Sequence, residues 1–176
     1  MTAKVLAMLL ALGTSAEDRA PELAEVKRAQ LEALAESISS VAAAQRDVAP
    51  LELAAFVATL GWHESKFSLR IAEGRCKPYE CDRGRARGIF QIHRRATMTD
   101  AEWDALLGTD RDAALAGTRE IVRRIVAARR RCRSLESRQD WAAGVFSSLA
   151  GRGCIGEFKG RAERVVRFRA LLRRKK

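Results

Sequence analysis

Pro50-Leu51-Glu52-Leu53-Ala54-Ala55-Phe56-Val57-Ala58-Thr59-Leu60-Gly61-Trp62-His63-Glu64-Ser65 is the stretch that decides how this chain folds. Proline suits the first position of a helix. Leu53, Phe56, Val57 and Leu60 follow at the three- and four-residue spacing of one helical face. The pattern predicts a helix that begins at Pro50, buries that face and delivers Glu64 at its C-terminal end. A charged segment over 68–87, carrying Gly74, Cys76, Pro78, Cys81 and Gly84, reads as a loop, and loops carry function. A second compact stretch, Gly88-Ile89-Phe90-Gln91-Ile92-His93, reads as a short buried segment. A carboxyl group at a helix end beneath an apolar lid can keep its proton near neutral pH and pass it to a leaving group.

Working outward, nearly every other segment has helical period. Pro21 to about Gln45 places Leu23, Val26, Leu34, Ile38 and Val41 on one stripe, as a packing helix or a linker-like extension. Thr99 and Glu102 form a capping box for a helix through Leu107, ended by Gly108. Asp110 can cap the longest helix, through about Arg131. Its apolar face is Ala114, Leu115, Thr118, Ile121, Val122, Ile125 and Val126, with arginines opposite. Residues 139–150 and 157–173 predict two more helices, with Trp141, Phe146, Phe158, Val165, Val166 and Leu172 as core. No internal repeat and no useful strand alternation is present. The expected fold class is all-α or nearly so, an α-rich α+β at most, with 176 residues sufficing for one core.

Charge is unevenly spread. Residues 1–60 hold 5 Lys/Arg and 8 Asp/Glu, and residues 61–176 hold 28 and 14, for the net charge of +11. The basic half is the half with the motifs, and a field of that sign concentrates anionic partners. Both nucleic acid and a carboxylate-rich bacterial wall qualify, as does a merely solvated arginine-rich surface. The four cysteines, Cys76, Cys81, Cys132 and Cys154, lack the paired close spacing of zinc sites, and their even number points to disulfides and an oxidising compartment. Three connectivities are open. Cys76 with Cys81 would close the loop between the motifs, Cys132 with Cys154 would tie two C-terminal helices, and this pairing is the expected one. Lys4 ahead of the apolar run Val5–Leu12, then Gly13-Thr14-Ser15-Ala16, fits a secretory signal cleaved after Ala16. The alternative is an ordinary helix. No run reaches the length of a membrane span.

Glu64-Ser65, then Asp82-Arg83-Gly84, then Gly88-Ile89-Phe90-Gln91-Ile92 together resemble the signature of goose-type lysozymes and soluble lytic transglycosylases. The likeness runs from about residue 50 to the C-terminus and is strongest over 60–93. It implies a lysozyme-like fold over 49–176; the first 45 residues lie outside it, and their own pattern gives a signal at 1–16 and an N-terminal helical extension at 17–48. It also implies peptidoglycan glycan strands as partner. The chain departs from that pattern twice. The family's third motif, resembling Ala-Tyr-Asn-Ala-Gly, aligns with Ser147-Ser148-Leu149-Ala150-Gly151, and His93 stands where goose-type lysozymes often have Asp.

Glycoside cleavage needs a proton on the departing oxygen and stabilisation of positive charge at the anomeric carbon. Glu64 is the candidate general acid. Asp82 decides the outcome: placed across the cleft it would activate water, and engaged in its own turn it would leave the muramic acid C6 hydroxyl to attack. The anhydro route is the favoured one. Glu73 and Glu80 are weaker candidates. Ser65, Gly88, Ile89, Phe90, Gln91 and His93 are expected at the substrate site, with Ser65 fixing the backbone near Glu64 and Gln91 positioning Glu64 or an N-acetyl group. His63 beside Glu64 invites a metal, but His-Glu-x-x-His is missing, so no metal or cofactor is expected. The expected protein is a monomeric, periplasmic or extracellular wall glycosidase. The rivals are a basic helical nucleic-acid binder, built on Arg123-Arg124, Arg129-Arg130-Arg131 and Arg173-Arg174-Lys175-Lys176, and a wall binder without activity.

Overall fold

A computed structural model describes residues 1–13 and 15–132. Beyond these it describes 144–146, 149, 153, 154, 163, 165, 166 and 170. The expected third motif, apart from Leu149, and the expected helices at 139–150 and 157–173, with Trp141, Phe158 and Leu172, lie largely outside the described residues. So does the basic run 173–176.

The principal elements among the described residues are six α-helices and one small ribbon: α1 (Thr2–Ala11), α2 (Ala24–Ala44), α3 (Pro50–Ser65), α4 (Leu69–Ala72), β1 (Ala86–Arg87), β2 (Ile92–His93), α5 (Asp100–Asp104) and α6 (Arg111–Arg131), with short 3-10 turns at Ala16–Arg19, Pro21–Leu23 and Asp82–Gly84. The α-rich class read from the pattern is the observed one. Helix α3 starts at Pro50, and it is buried all round from Leu53 to Gly61 rather than on one face. That is the behaviour of a central helix. Helix α2 packs on α1, α3 and α6, and α6 also meets α3. Phe56 stacks on Phe146 with ring centroids 4.4 Å apart.

Capping residues set the helix limits as their chemistry requires. Thr99 and Glu102 form the capping box of α5, and the Asp110 side chain accepts from the Ala113 N–H at 2.9 Å to start α6. The α6 face from Ala114 to Val126 is buried largely as its spacing predicts. Helix α5 is shorter than expected, ending at Asp104, with Gly108 reached through a turn.

Three expectations are corrected. Val26 is exposed, and the buried stripe of α2 instead runs through Lys27, Gln30, Leu31, Leu34, Ile38 and Ala42. The stripe is rotated because Lys27 is satisfied inside the protein: its ammonium donates to Asp18 at 2.7 Å and to the carbonyl of Phe67. Val166 is exposed rather than core. The 68–87 loop contains α4, capped by Ser68, which buries Leu69, Ile71 and Ala72. Helices α1, α2, α3 and α6 share one core. Val5, Met8 and Leu9 of α1 belong to that core, and cleavage after Ala16 would remove them.

Cys76–Cys81 and Cys132–Cys154 are disulfides, the pairing expected, and structural disulfides fit an oxidising compartment. Among the described residues no helix is long and apolar enough to cross a membrane.

Candidate active site

Helix α3 ends at Ser65, and the chain reverses through two consecutive residues with left-handed backbone, Lys66 at φ 50° and Phe67 at φ 56°. Neither is glycine, so both conformations need support from their surroundings. The support is visible. The Ser65 hydroxyl accepts from the Phe67 N–H at 3.0 Å and lies 2.7 Å from the Ile89 carbonyl, to which it donates. The Phe67 carbonyl accepts from Lys27, and the Leu69 N–H donates to Asp18 at 3.0 Å. Burial pulls the Lys27 ammonium down from its ordinary pKa, and the hydrogen bond and charge of Asp18 oppose that shift. A buried ion pair thus clamps the turn that follows Glu64.

The same turn is packed against the second motif. A Cβ on Gly61 would lie 2.7 Å from the Phe67 ring and 3.0 Å from the Phe90 ring, so only glycine lets both rings reach the helix. Gly88 opens the four-residue turn between β1 and β2 with φ 67°, and a Cβ there would meet the Leu106 carbonyl oxygen at 2.4 Å. Within that turn the Gly88 carbonyl accepts from both the backbone N–H and the side-chain amide of Gln91, each at 3.0 Å. Gln91 itself has φ 46°. Strand pairing of Ala86 with His93 and Arg87 with Ile92 then fixes where His93 emerges.

These elements enclose a cleft of about 280 Å³ lined by Leu60, Glu64, Phe90, Gln91, Ile92, His93, Ile121, Arg124, Phe146 and Leu149. Glu64, half-buried, is the one acid among these lining residues. Of the expected site residues, Glu64, Phe90, Gln91 and His93 come together on the surface of the cleft. Ser65, Gly88 and Ile89 are not among the lining residues and stand behind the cleft, Ser65 bracing the backbone after Glu64 as expected of it. Asp82 is not among the lining residues. Its carboxylate lies 3.2 Å from the Arg85 guanidinium and 3.8 Å from the His93 Nδ1, at the rim. Glu73 pairs with Arg75, and Glu80 with Arg70 in two hydrogen bonds of 2.6 and 2.7 Å, so both are occupied in the loop. The Arg70 guanidinium, helped by the Lys77 N–H, holds the Glu80 carboxyl at about 2. His63 stands edge-on to Trp62 at 5.3 Å. Among the described residues no group of three His, Cys, Asp or Glu side chains could hold a metal ion.

Five non-glycine residues among those described have positive φ: Lys66, Phe67, Asp82, Arg83 and Gln91. Lys66 and Phe67 directly follow Glu64-Ser65, Asp82 and Arg83 lie in the Asp-Arg-Gly, and Gln91 lies in the Gly88–His93 stretch. Backbone held in such conformations costs of order 1–3 kcal/mol per residue and clusters at functional sites.

Two contributions escaped the sequence reading. Arg124, taken with Arg123 as part of a basic surface run, lines the cleft and donates to the His93 carbonyl at 2.6 Å. Its place three residues after the buried Ile121 was the available signal. The Asp18–Lys27 clamp had none, because its members are joined to Phe67 and Leu69 across 40 and 51 residues.

Comparison with family models, with curated proteins and with solved structures finds no match to this chain.

Proposed function

We propose that this protein is a peptidoglycan-cleaving glycosidase that breaks the β-1,4 bond between N-acetylmuramic acid and N-acetylglucosamine, with Glu64 as general acid. The observation that carries the reading is the convergence of Glu64, Gln91 and His93, from two sequence motifs, on one apolar-walled cleft. Glu64 gives its proton to the departing C4 oxygen as the bond to the muramic C1 breaks. The muramic C6 hydroxyl then bonds to C1, and its proton returns to the Glu64 carboxylate. No water is consumed, and the product carries a 1,6-anhydro ring. Two features favour this route over hydrolysis. Glu64 is the only carboxylate among the described lining residues, and Asp82 is engaged with Arg85 and His93 at the rim.

Hydrolysis, as in the goose-type lysozymes, remains the second reading because Asp82 borders His93, which does line the cleft. Two carboxyl groups about 6.5–9.5 Å apart leave room for a water. Arg123 binds Glu120 with two of its nitrogens and Arg130 pairs with Asp47, so these members of the basic runs are partly engaged within the fold, which weighs against the nucleic-acid reading. The disulfides support a periplasmic or extracellular setting.

Mass spectrometry of an unreduced muropeptide digest tests the proposal. Products lighter by one water than their reducing counterparts, formed equally by Asp82→Asn, are the expected result. Reducing products that vanish in Asp82→Asn would establish the lysozyme reading instead.

A further inference from the structure

Beside the cleft lies a charge cluster that the cleavage chemistry does not use. Glu120, 8% exposed, sits on α6 with three guanidiniums converging on its carboxylate. Arg95 reaches it at 2.9 and 3.1 Å, Arg123 at 2.9 and 3.0 Å, and Arg124 at 2.7 Å. Spacings of three and four residues put Arg123 and Arg124 on the same face as Glu120. Glu102 lies within electrostatic reach of Arg123, while its own carboxylate is held in the Thr99 capping box. With both acids counted, three arginines still leave positive charge in excess.

Of the three, Arg124 lines the cleft that holds Glu64. Its Nε is bound to Glu120 and one N–H of Nη2 to the His93 carbonyl. These two bonds fix the plane of the guanidinium, and no described residue takes the N–H groups of Nη1. A guanidinium anchored in this way is pre-organised to receive a planar anion, and carboxylate is the match for its fork. Ile121, one turn earlier on α6, supplies an apolar wall beside it.

We propose that Arg124, oriented by Glu120, is a specificity-determining residue that binds a carboxylate carried by the glycan substrate in the Glu64 cleft. The inference rests on the glycosidase reading above and deepens it. A muramic-acid-containing glycan bears carboxylates, either on the lactyl group or on an attached peptide, and a glycan built only of N-acetylglucosamine bears none. The cleft would therefore favour the first class of glycan over the second through Arg124.

The test uses the full chain carrying Glu64→Gln, so that ligands are bound without being cut. Isothermal titration would compare three tetrasaccharides: the muramic acid form with free lactyl carboxylates, the same form bearing peptides, and the neutral N-acetylglucosamine form. Adding Arg124→Gln is expected to weaken the carboxylate ligands by about tenfold or more, as loss of a charge-assisted hydrogen bond does. The neutral ligand should change little, and Arg124→Lys should restore only part of the difference. Greater loss with the peptide-free form identifies the lactyl group as the source, and greater loss with the peptide form identifies the peptide. Equal weakening of all three ligands, or of none, overturns the proposal. Should Arg124→Gln fail to fold, the Glu64→Gln protein alone decides: a preference for the carboxylate ligands that shrinks with added salt supports the site, and an absent preference overturns it. Wall clearance by the wild type and by Glu64→Gln separates the two readings. Clearance lost in Glu64→Gln together with an unchanged ligand preference in Arg124→Gln removes the carboxylate site alone. Clearance retained in Glu64→Gln removes the glycosidase reading and this one with it.

Discussion

Helix α6 and the segment from Glu64 to His93 are built on opposite plans. Helix α6 is regular over 21 residues, starts on a capping aspartate and buries one continuous face. The Glu64–His93 segment holds one four-residue helix, two two-residue strands, a disulfide and all five of the left-handed non-glycine residues described. One region obeys local preference and supplies stability. The other departs from it at the points where side chains converge on the cleft, and it is held by long-range bonds from the first region and from α2. Conflict between local preference and global structure is expected at functional sites.

The comparison can be broken most forcefully at the clamp. Lys27→Met leaves Asp18 buried without its counter-ion, and breaking a buried pair in this way costs about 3–5 kcal/mol. A Tm lower by roughly 10 °C is expected, together with reduced wall clearance. A Tm within a degree or two of wild type would show that the turn after Glu64 stands without α2. Gly88→Ala comes next. Its Cβ would press on the Leu106 carbonyl from a backbone with φ 67°, and about 1–3 kcal/mol should be lost. Thermal unfolding checks this, and a neutral result would mean the Gly88 turn is freer than its packing indicates.

Ser65→Ala sharpens the comparison further. It removes the hydroxyl that joins the Phe67 N–H to the Ile89 carbonyl, leaving two buried backbone groups without that partner. A loss of about 1–3 kcal/mol follows, with a fall in activity larger than the fall in stability would give at a temperature where the variant is folded. Equal activity would restrict Ser65 to folding.

The smallest effect concerns acid. Burial raises the Glu120 carboxyl, but hydrogen bonds from Arg123, Arg95 and Arg124 outweigh it and leave it at about 2, well below the ordinary 4.5. A depressed folded-state pKa contributes stability that is present above about pH 4.5 and lost as pH falls toward 2. Glu120→Gln should therefore lower stability at neutral pH and flatten its decline between pH 4.5 and 2, measured by denaturant titration across that range. An unchanged slope would show that Glu120 is not coupled to its three arginines.

Much of the regular region was legible in the sequence. Pro50, the Thr99–Glu102 box and the Asp110 cap mark helix starts by local chemistry, and the apolar spacing of α6 gives its buried face directly. The candidate site could be read in its parts, since Glu64 and the Phe90–His93 stretch that line one cleft stand out as two short motifs. The rest depended on distant partners. Lys27 and Gln30 do not look like core residues, and Lys27 becomes one only through Asp18 and Phe67. Asp82 matched a motif position, yet its neighbours Arg85 and His93 decide where its carboxylate goes. Arg124 resembles its exposed neighbours in the sequence and is separated from them by the packing of α6 on the β2 end.

The central claim is that Glu64 is the acid on which cleavage depends. Turbidity clearance of purified cell walls by Glu64→Gln, with circular dichroism on the same preparation, tests it most directly. The account predicts a rate lower by about 10²–10⁴-fold, the range general acid catalysis supplies, with an unchanged helical spectrum. A folded Glu64→Gln protein that clears walls near the wild-type rate would contradict it.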